Sequence, residues 1–522
     1  MKPSIPSLRS VWGAIGCLAF GLLGCDSPPQ ALEPAMQLIN NAESRPSDDA
    51  AIQSFCGGCH LLPRSQSFGK ARWKEEVEQG FRLYAKSGRE DLIPTDMVAT
   101  LAFFQRDAPE ELAFETPESA EDTRFEKRQI PVVGQPEMVA ISEFAVLDSS
   151  PQRIRFATTD LWSGAVSILE KRADENPLNA TVMTSVSHPA FVHAVDFDSD
   201  GTEELVVADL GKYSPDETLQ GSLWLLKADV KEASGYRRYP LKLGLARVSC
   251  VRSCDYDADG DIDLVVSDFG MHAVGSIYLL TNQGSSGEGI PQFEWSVLDK
   301  RPGAIDTPIV DFDGDGRLDI VTLVSQHYES IDVLFNRGDQ GFKSRNIYQA
   351  PDPSYGSSSI EVVDFDFDGD LDVLYTNGDT FDDFMAKPYH SIHLIENQGD
   401  LSFVHRELAS MPGIYRARAG DIDQDGDMDI AAVSLLGSDE IQRQPPGTFE
   451  GVMWLEQHRD GSFQRHRLVV DQCDAATCQL FDWDSDGDLD LIVPPASIDW
   501  HPSSSITVFF NQTVQSQVPE SK

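Results

Sequence analysis

One nine-residue pattern, D-x-D-x-D-G-x-x-[D/E], returns six times after residue 190, and each copy runs straight into apolar β-formers. It reads DFDSDGTEELVV from Asp196, DYDADGDIDLVV from Asp255 and DFDGDGRLDIVT from Asp311. It continues as DFDFDGDLDVLY from Asp364, DIDQDGDMDIAA from Asp421 and DWDSDGDLDLIV from Asp482. The starts lie 59, 56, 53, 57 and 61 residues apart, a fixed rhythm in the range of propeller blades.

Each copy carries hard oxygen ligands at positions 1, 3, 5 and 9. They are Asp196, Asp198, Asp200 and Glu204; Asp255, Asp257, Asp259 and Asp263; Asp311, Asp313, Asp315 and Asp319. The later copies offer Asp364, Asp366, Asp368 and Asp372; Asp421, Asp423, Asp425 and Asp429; Asp482, Asp484, Asp486 and Asp490. Glycine at position 6 permits a sharp turn, and the carbonyl of position 7 adds an oxygen, much as in an EF-hand loop. No helix flanks these loops. Runs such as LVVAD and GSLWLL place each one between two strands. Oxygen-only ligation points to Ca2+, up to six ions, over zinc or copper. A solvated acidic turn explains one copy but not six. The repeats also contribute to a net charge of -44, a field that repels phosphate backbones and excludes nucleic acid as a partner.

These residues resemble the FG-GAP/VCBS repeats of integrin-like β-propellers, over roughly residues 125 to 513. Upstream of the first acidic loop, residues 138 to 170 keep the strand rhythm without the aspartate ladder. Ser142 stands 54 residues before Asp196, one period back, which makes this a further blade without metal. FEKRQIPVV (residues 125 to 133) matches the outer strand FQRHRLVV (residues 463 to 470). It is expected to complete the blade ending in SSSITVFFN, removing the open edge a ring must manage. The expectation is an all-β seven-bladed propeller with six calcium loops, followed by a tail at 514–522.

The front of the chain is a different object. Ser47-Asp48-Asp49 reads as a helix start, Trp73, Val77, Phe81 and Tyr84 recur at helical spacing, and Val98, Leu101 and Phe104 share a face after a cap at Thr95. This predicts a small all-α domain over 46–115, with an acidic linker at 116–124. Within it stands FCGGCHLLP, which could be a zinc half-site, a redox disulfide or a haem attachment point. Zinc needs four ligands, yet His60 is the only histidine before residue 188 and no cysteine lies between Cys59 and Cys250. A thioredoxin-like pair wants a βαβ setting. Covalent haem needs two thiols and an adjacent histidine, and both are present. The domain then resembles a small cytochrome c, which implies one haem c with Cys56 and Cys59 as thioether residues and His60 as proximal ligand. Met97 is the candidate distal ligand; helix packing with an open sixth position is the alternative.

Lys2, Arg9 and the apolar run at residues 11 to 24 form an export signal too short to span a bilayer. Leu22-Leu23-Gly24-Cys25 looks like a bacterial lipobox, so residues 1–25 read as a lipoprotein signal peptide with lipidated Cys25. A proline-rich linker follows at 26–45. The expected location is the periplasm or cell exterior, tethered to a membrane. In such an oxidising setting Cys250 with Cys254, and Cys473 with Cys478, are candidate local disulfides, buried free thiols being the alternative. No nucleophile elbow, phosphate loop or dinucleotide fingerprint appears. Three residues before each acidic loop come His193, Arg252, Pro308, Glu361, Arg418 and Gln479, expected to form a hydrated ring near one mouth of the channel. His272 and His327 lie beyond second strands. Two functions stay open: electron transfer with a redox partner protein, the propeller holding a carbohydrate or protein ligand, or a surface binding and adhesion module with an ancillary haem domain.

Overall fold

The structure is a computed structural model that describes residues 47–120, 124–150, 152–172, 177–286, 289–381 and 384–513. The signal segment, Cys25, the linker at 26–45 and the tail lie outside the described residues. Among those described, no helix is long and apolar enough to cross a membrane. The chain divides into two compact units between Leu112 and Ala113.

The first unit contains α1 (Asp49–Cys56), α2 (Trp73–Ser87) and α3 (Met97–Arg106). Asp48 caps α1 by accepting from Ala51 N at 2.9 Å. Gly88 ends α2 in the left-handed conformation (φ 66), which costs glycine little. Trp73 stacks on Phe104 with centroids 4.3 Å apart and donates its indole N–H to Ser65 O, joining α2 to α3. The cap of α3 is Asp96, which accepts from Ala99 N at 2.8 Å, and not Thr95 as the sequence suggested. Thr95 is buried and bonds the Thr100 hydroxyl. The face of α3 is corrected too. Met97, Thr100, Leu101 and Phe104 turn inward at i, i+3, i+4 and i+7, leaving Val98 75% exposed.

In the second unit, each stretch of some 55 residues folds into an antiparallel four-stranded meander. The first complete example is Pro189–Val195, Glu204–Asp209, Gly221–Ala228 and Tyr236–Leu245. The second strands, Glu204–Asp209, Asp263–Asp268, Asp319–Val324, Asp372–Thr376, Asp429–Ser434 and Asp490–Val493, are buried along their whole length. This explains why they read as continuous apolar runs: both of their faces are covered by neighbouring sheets. The fourth strands, such as Tyr236–Leu245, are largely exposed to solvent.

The first strand of each sheet packs on the first strand of the next, and an apolar cluster fills each junction. Val206, Leu223 and Val251, for example, pack together between two successive sheets. The last and first sheets also share a cluster, in which Phe156 stacks on Trp483 at 5.6 Å. The strand Phe125–Val133 pairs antiparallel with Ser505–Asn511, from Phe125↔Asn511 to Pro131↔Ser505. Its last two residues pair in parallel with Leu178 and Asn179, merging the first and last sheets into one of eight strands. The result is a β-propeller-like ring whose outer edge is closed from both chain ends.

Three expectations are revised. Ser142 lies inside the strand Ile141–Ser150, and the turn matching an acidic loop is the tight one before Arg153, so the upstream period was placed too early. Residues toward Ala120 are not a loose linker: Phe114 meets Phe449, and Ala120 N donates to Arg465 O at 3.0 Å. All six described cysteines are unpaired. Cys250 and Cys254 sit four residues apart in one extended strand, about 13 Å at the usual rise, far beyond disulfide reach. Cys473 and Cys478 lie in different apolar clusters.

Candidate functional site

Every acidic loop joins a first strand to a second strand, and its position 9 opens the second strand. In the first loop Asp196 accepts from Asp200 N at 3.1 Å and Gly201 N at 2.9 Å, and Asp200 accepts from Thr202 N at 2.7 Å. The other five loops repeat this scheme with small omissions. The position-9 carboxylate accepts from the amide of position 2, as Asp490 does from Trp483 N at 2.8 Å. It also accepts from a third-strand amide, as from Asn511 N at 2.8 Å. These bonds fold the acids inward before any ion arrives.

The backbone is bent twice per loop. Glycine at position 6 has φ between 82 and 99 throughout. Position 4 is also left-handed: Ser199, Ala258, Gly314, Phe367, Gln424 and Ser485 have φ between 55 and 68. Only one of these is glycine, so nothing in the residue types marks the second bend. Holding side chains there costs on the order of 1 kcal/mol each, the kind of strain found where surrounding bonds over-determine a conformation.

The donor set fits calcium. In each of the loops from Asp196, Asp255, Asp311, Asp364 and Asp421, oxygens from three acids lie within 4.8 Å of one another. Asp313 Oδ1, Asp364 Oδ1 and Asp486 Oδ2 are buried with no hydrogen-bond donor, as expected of lone pairs meant for a cation. Burial first, and crowding by like charges after it, pushes Asp319 and Asp372 up to about 6 and Asp429 and Asp490 up to about 7.

The first loop departs from this arrangement. Lys227 Nζ donates to Asp198 at 2.8 Å and Glu204 at 2.7 Å, bridging positions 3 and 9. Desolvation opposes its charge, but the bonds to the two acids win and hold its pKa above the ordinary lysine value. In the same register of the other third strands stand Thr281, Phe335, Glu396, Glu456 and Phe510, none of them a cation. Elsewhere Arg337 reaches Asp313 and Asp315, and Arg124 reaches Asp423, both from the loop's rim.

The FG-GAP-like repeat family matches residues 255–322 and 311–375. This chain carries FG-GAP-like repeats. No curated protein matches it. Among solved structures it is similar to an ancestral GH74 enzyme at 8% identity and a TM-score of 0.44. The match covers 72% of this chain and 48% of that one, so the chain spans about half of that enzyme's length.

Inside the repeat ring, the six residues noted before each loop sit on or beside the first strands, and four of them, His193, Arg252, Glu361 and Gln479, are bonded to the next sheet. Arg252 forms a bidentate pair with Asp306 at 3.0 Å, and Cys250 Sγ donates to the same carboxylate at 3.1 Å. His193 Nε2 meets Ser253 Oγ at 2.8 Å, Glu361 accepts from Ala419 N, and Gln479 donates to Phe144 O. Arg416, which the sequence reading overlooked, pairs with Glu143 at 3.2 Å. The other bonds run between neighbouring sheets, whereas Arg416–Glu143 reaches past the last sheet to the first, so the ring laces first strands together.

In the helical unit, Cys56 ends α1 half-buried and Cys59 is exposed. Burial, then the neighbouring Cys59, pushes the Cys56 thiol up to about 12. The glycines between them are needed for closeness: a Cβ on Gly58 would stand 2.5 Å from Leu92, and one on Gly57 2.9 Å from Gln53 O. His60 Nδ1 lies 2.7 Å from Leu61 O. A carbonyl can only accept, so Nδ1 carries the proton and Nε2 keeps the lone pair, the tautomer a metal-ligating histidine needs. Unpaired thiols, the tautomer and the adjoining aromatic cluster of Phe55, Phe81 and Tyr84 fit a c-type haem. Met97 is the first residue of α3, half-buried against that cluster.

Proposed function

We propose that this chain is an exported, lipid-anchored electron carrier, with a haem-bearing domain at 46–115 and a calcium-stabilised, seven-bladed propeller at 125–513 that binds a partner or substrate. The observation that carries the reading is the Cys56–Cys59–His60 motif, with both thiols unpaired and Nδ1 of His60 engaged by Leu61 O. Cys56 and Cys59 would hold haem through thioethers and His60 Nε2 would be the proximal ligand. Once bound, the iron takes up and gives back one electron. Met97 is the candidate distal ligand. Arg89 donates to Gly58 O at 2.9 Å and to Cys59 Sγ, fixing the motif's backbone beside its paired Asp91. The seven-blade count is supported by the eight-stranded sheet dividing into a first and a last meander. Cys25 is the proposed lipid attachment and a redox protein the proposed partner.

The test is chemical. Matured protein should keep its haem through acid-acetone extraction, and Cys56→Ala with Cys59→Ala should abolish it. Absence of covalent haem in the wild type overturns the electron-transfer reading.

A second reading, a binding module, is favoured by one observation. Trp162, Tyr213, Phe381 and Trp500 come from loops of four different sheets, yet Tyr213 lies within 6.4 Å of each of the other three rings. Trp162 is 45% exposed, and the buried Trp500 indole N–H has no acceptor. Ring faces with a spare donor suit a sugar or a protein aromatic patch. Glycan or protein binding that persists without haem, and is lost in Trp162→Ala, would establish this reading.

A further inference from the structure

His272 and His327 were singled out in the sequence but left without a use by the calcium loops and the haem motif. Both lie in loops joining second to third strands, between Asp268 and Ser276 and between Val324 and Ser330. Each second strand runs away from its acidic loop, so these loops lie at the opposite end of the sheets. The equivalent loop of the preceding sheet, between Asp209 and Gly221, carries Glu217. Glu217, His272 and His327 are spaced 55 and 55 residues apart, one repeat each. Three consecutive sheets thus present a carboxylate and two imidazoles at matching places.

The two imidazoles meet. His272 Nδ1 stands 3.1 Å from His327 Nε2, with ring centroids 4.8 Å apart. Glu217 is pinned by the backbone beside them: its carboxylate accepts from His272 N at 3.2 Å and Ala273 N at 3.2 Å. The neighbouring Asp216 is already engaged by Lys212 and Thr218. Two nitrogens bound to one tetrahedral zinc at about 2.0–2.1 Å stand about 3.3 Å apart, close to the separation seen here. The backbone around the second histidine is bent as well: Gln326 and Glu329 have φ of 61 and 42, unusual for side-chain-bearing residues.

We propose that Glu217, His272 and His327 form a binding site for a late first-row divalent cation, zinc foremost, on the face opposite the calcium loops. Imidazole nitrogen selects such ions over calcium, and two histidines with one carboxylate leave a coordination position for water or a ligand. The site is separate from the acidic loops in both chemistry and place. Neutral imidazoles shift their ring protons to the outward nitrogens as the ion binds, so His272 Nδ1 and His327 Nε2 both offer lone pairs.

Zinc titration of the full chain in saturating calcium tests this, with His272→Gln, His327→Gln and Glu217→Gln beside the wild type. One zinc should bind per chain, in a His60→Ala background as well. Either histidine substitution should weaken it by about 100-fold or more, and Glu217→Gln by about tenfold. Cobalt added to the wild type should give the visible bands of a nitrogen–oxygen site, a readout independent of how any variant folds. No zinc uptake at about 100 μM, no cobalt bands, or unchanged affinity in the double histidine variant would each overturn the site and leave the pair a plain hydrogen bond.

Discussion

Lys227→Gln tests whether a lysine does the work of an ion in the first loop. The wild-type ammonium bridges Asp198 and Glu204, whose side chains are 39% and 4% exposed. The bond to Asp198 is therefore largely screened by water, and the bond to Glu204 carries most of the effect. A charge-assisted hydrogen bond to a buried carboxylate is worth about 1.5–3 kcal/mol, of which a glutamine amide recovers part. A net loss of about 2 kcal/mol is expected in chelator. With roughly 2.1 cal/mol/K of unfolding entropy per residue over the about 400 residues of this unit, the melting midpoint falls by about 2–3 °C. Calcium should reverse the sign. The position-9 acid of the variant loop then has no ion-pair partner among the described residues, as in the other five, and an ion at 100 times its Kd returns about 2.7 kcal/mol. Calorimetric melting of both proteins in calcium and in chelator, with bound calcium counted, reads each effect. The variant should bind one more calcium than the wild type. Equal midpoints in chelator together with equal calcium counts would refute the reasoning.

Asp490→Ala should destabilise the ring by about 3–5 kcal/mol in urea unfolding, because it strips the acceptor from two buried amides, Trp483 N and Asn511 N; a loss under about 1 kcal/mol would show those bonds to be dispensable. His393 is fully buried; its Nε2 donates to Asn377 Oδ1 at 3.0 Å, which leaves Nδ1 to accept from His405 Nε2 at 3.0 Å. Desolvation, with His405 adding to it, lowers its pKa to about 3. The unfolded chain therefore binds the proton first on acidification, and His393 contributes stability above about pH 6.5 that is lost as pH falls toward 3. At pH 5 this amounts to about 2 kcal/mol, so calcium-loaded His393→Asn should lose less stability than wild type between pH 7 and pH 5. Parallel pH profiles would show that His393 is not the responsible group.

Much of the ring was legible because the repeat states its own constraints. The apolar runs after each ladder became second strands, and FEKRQIPVV closed on the last strand because its alternating pattern matched an outer strand. What escaped was set by tertiary context. Nothing in Ser199, Ala258, Phe367, Gln424 or Ser485 signals a left-handed backbone; the bonds from the first aspartate force it. Lys227 lies 23 residues beyond Glu204 and reads as an ordinary strand-end lysine until the third strand folds back. Charged residues of the inner ring pair across sheets some 55 residues apart, as Arg252 does with Asp306. In the helical unit, steps of three suggested Val98 as a core residue, whereas packing followed the i, i+3, i+4, i+7 face from Met97. Cysteine spacing was read as local pairing because strand extension was not weighed against disulfide length.

The two ends of the second strands obey different rules, and the contrast says where recognition belongs. On the acidic side, every connector from Asp196 to Asp482 has eight residues before the second strand begins. A fixed length follows when several carboxylates must converge on one point, since one residue more or less would misplace position 9. On the opposite side the connectors run from four residues, between Asp160 and Ala165, to fifteen, between Ser434 and Glu450. Nothing in the ring's stability demands any one length there. Those unequal loops carry the gathered aromatic rings, drawn from four sheets, and the Glu217–His272–His327 group, drawn from three consecutive ones. On the binding-module reading, uniformity on one face and irregularity on the other would separate holding the ring together from reading a ligand. Exchanging an acidic-side loop between sheets should therefore leave binding intact, whereas shortening the connector between Asp209 and Gly221, which carries Tyr213 and Glu217, should alter binding and spare the melting midpoint measured in calcium.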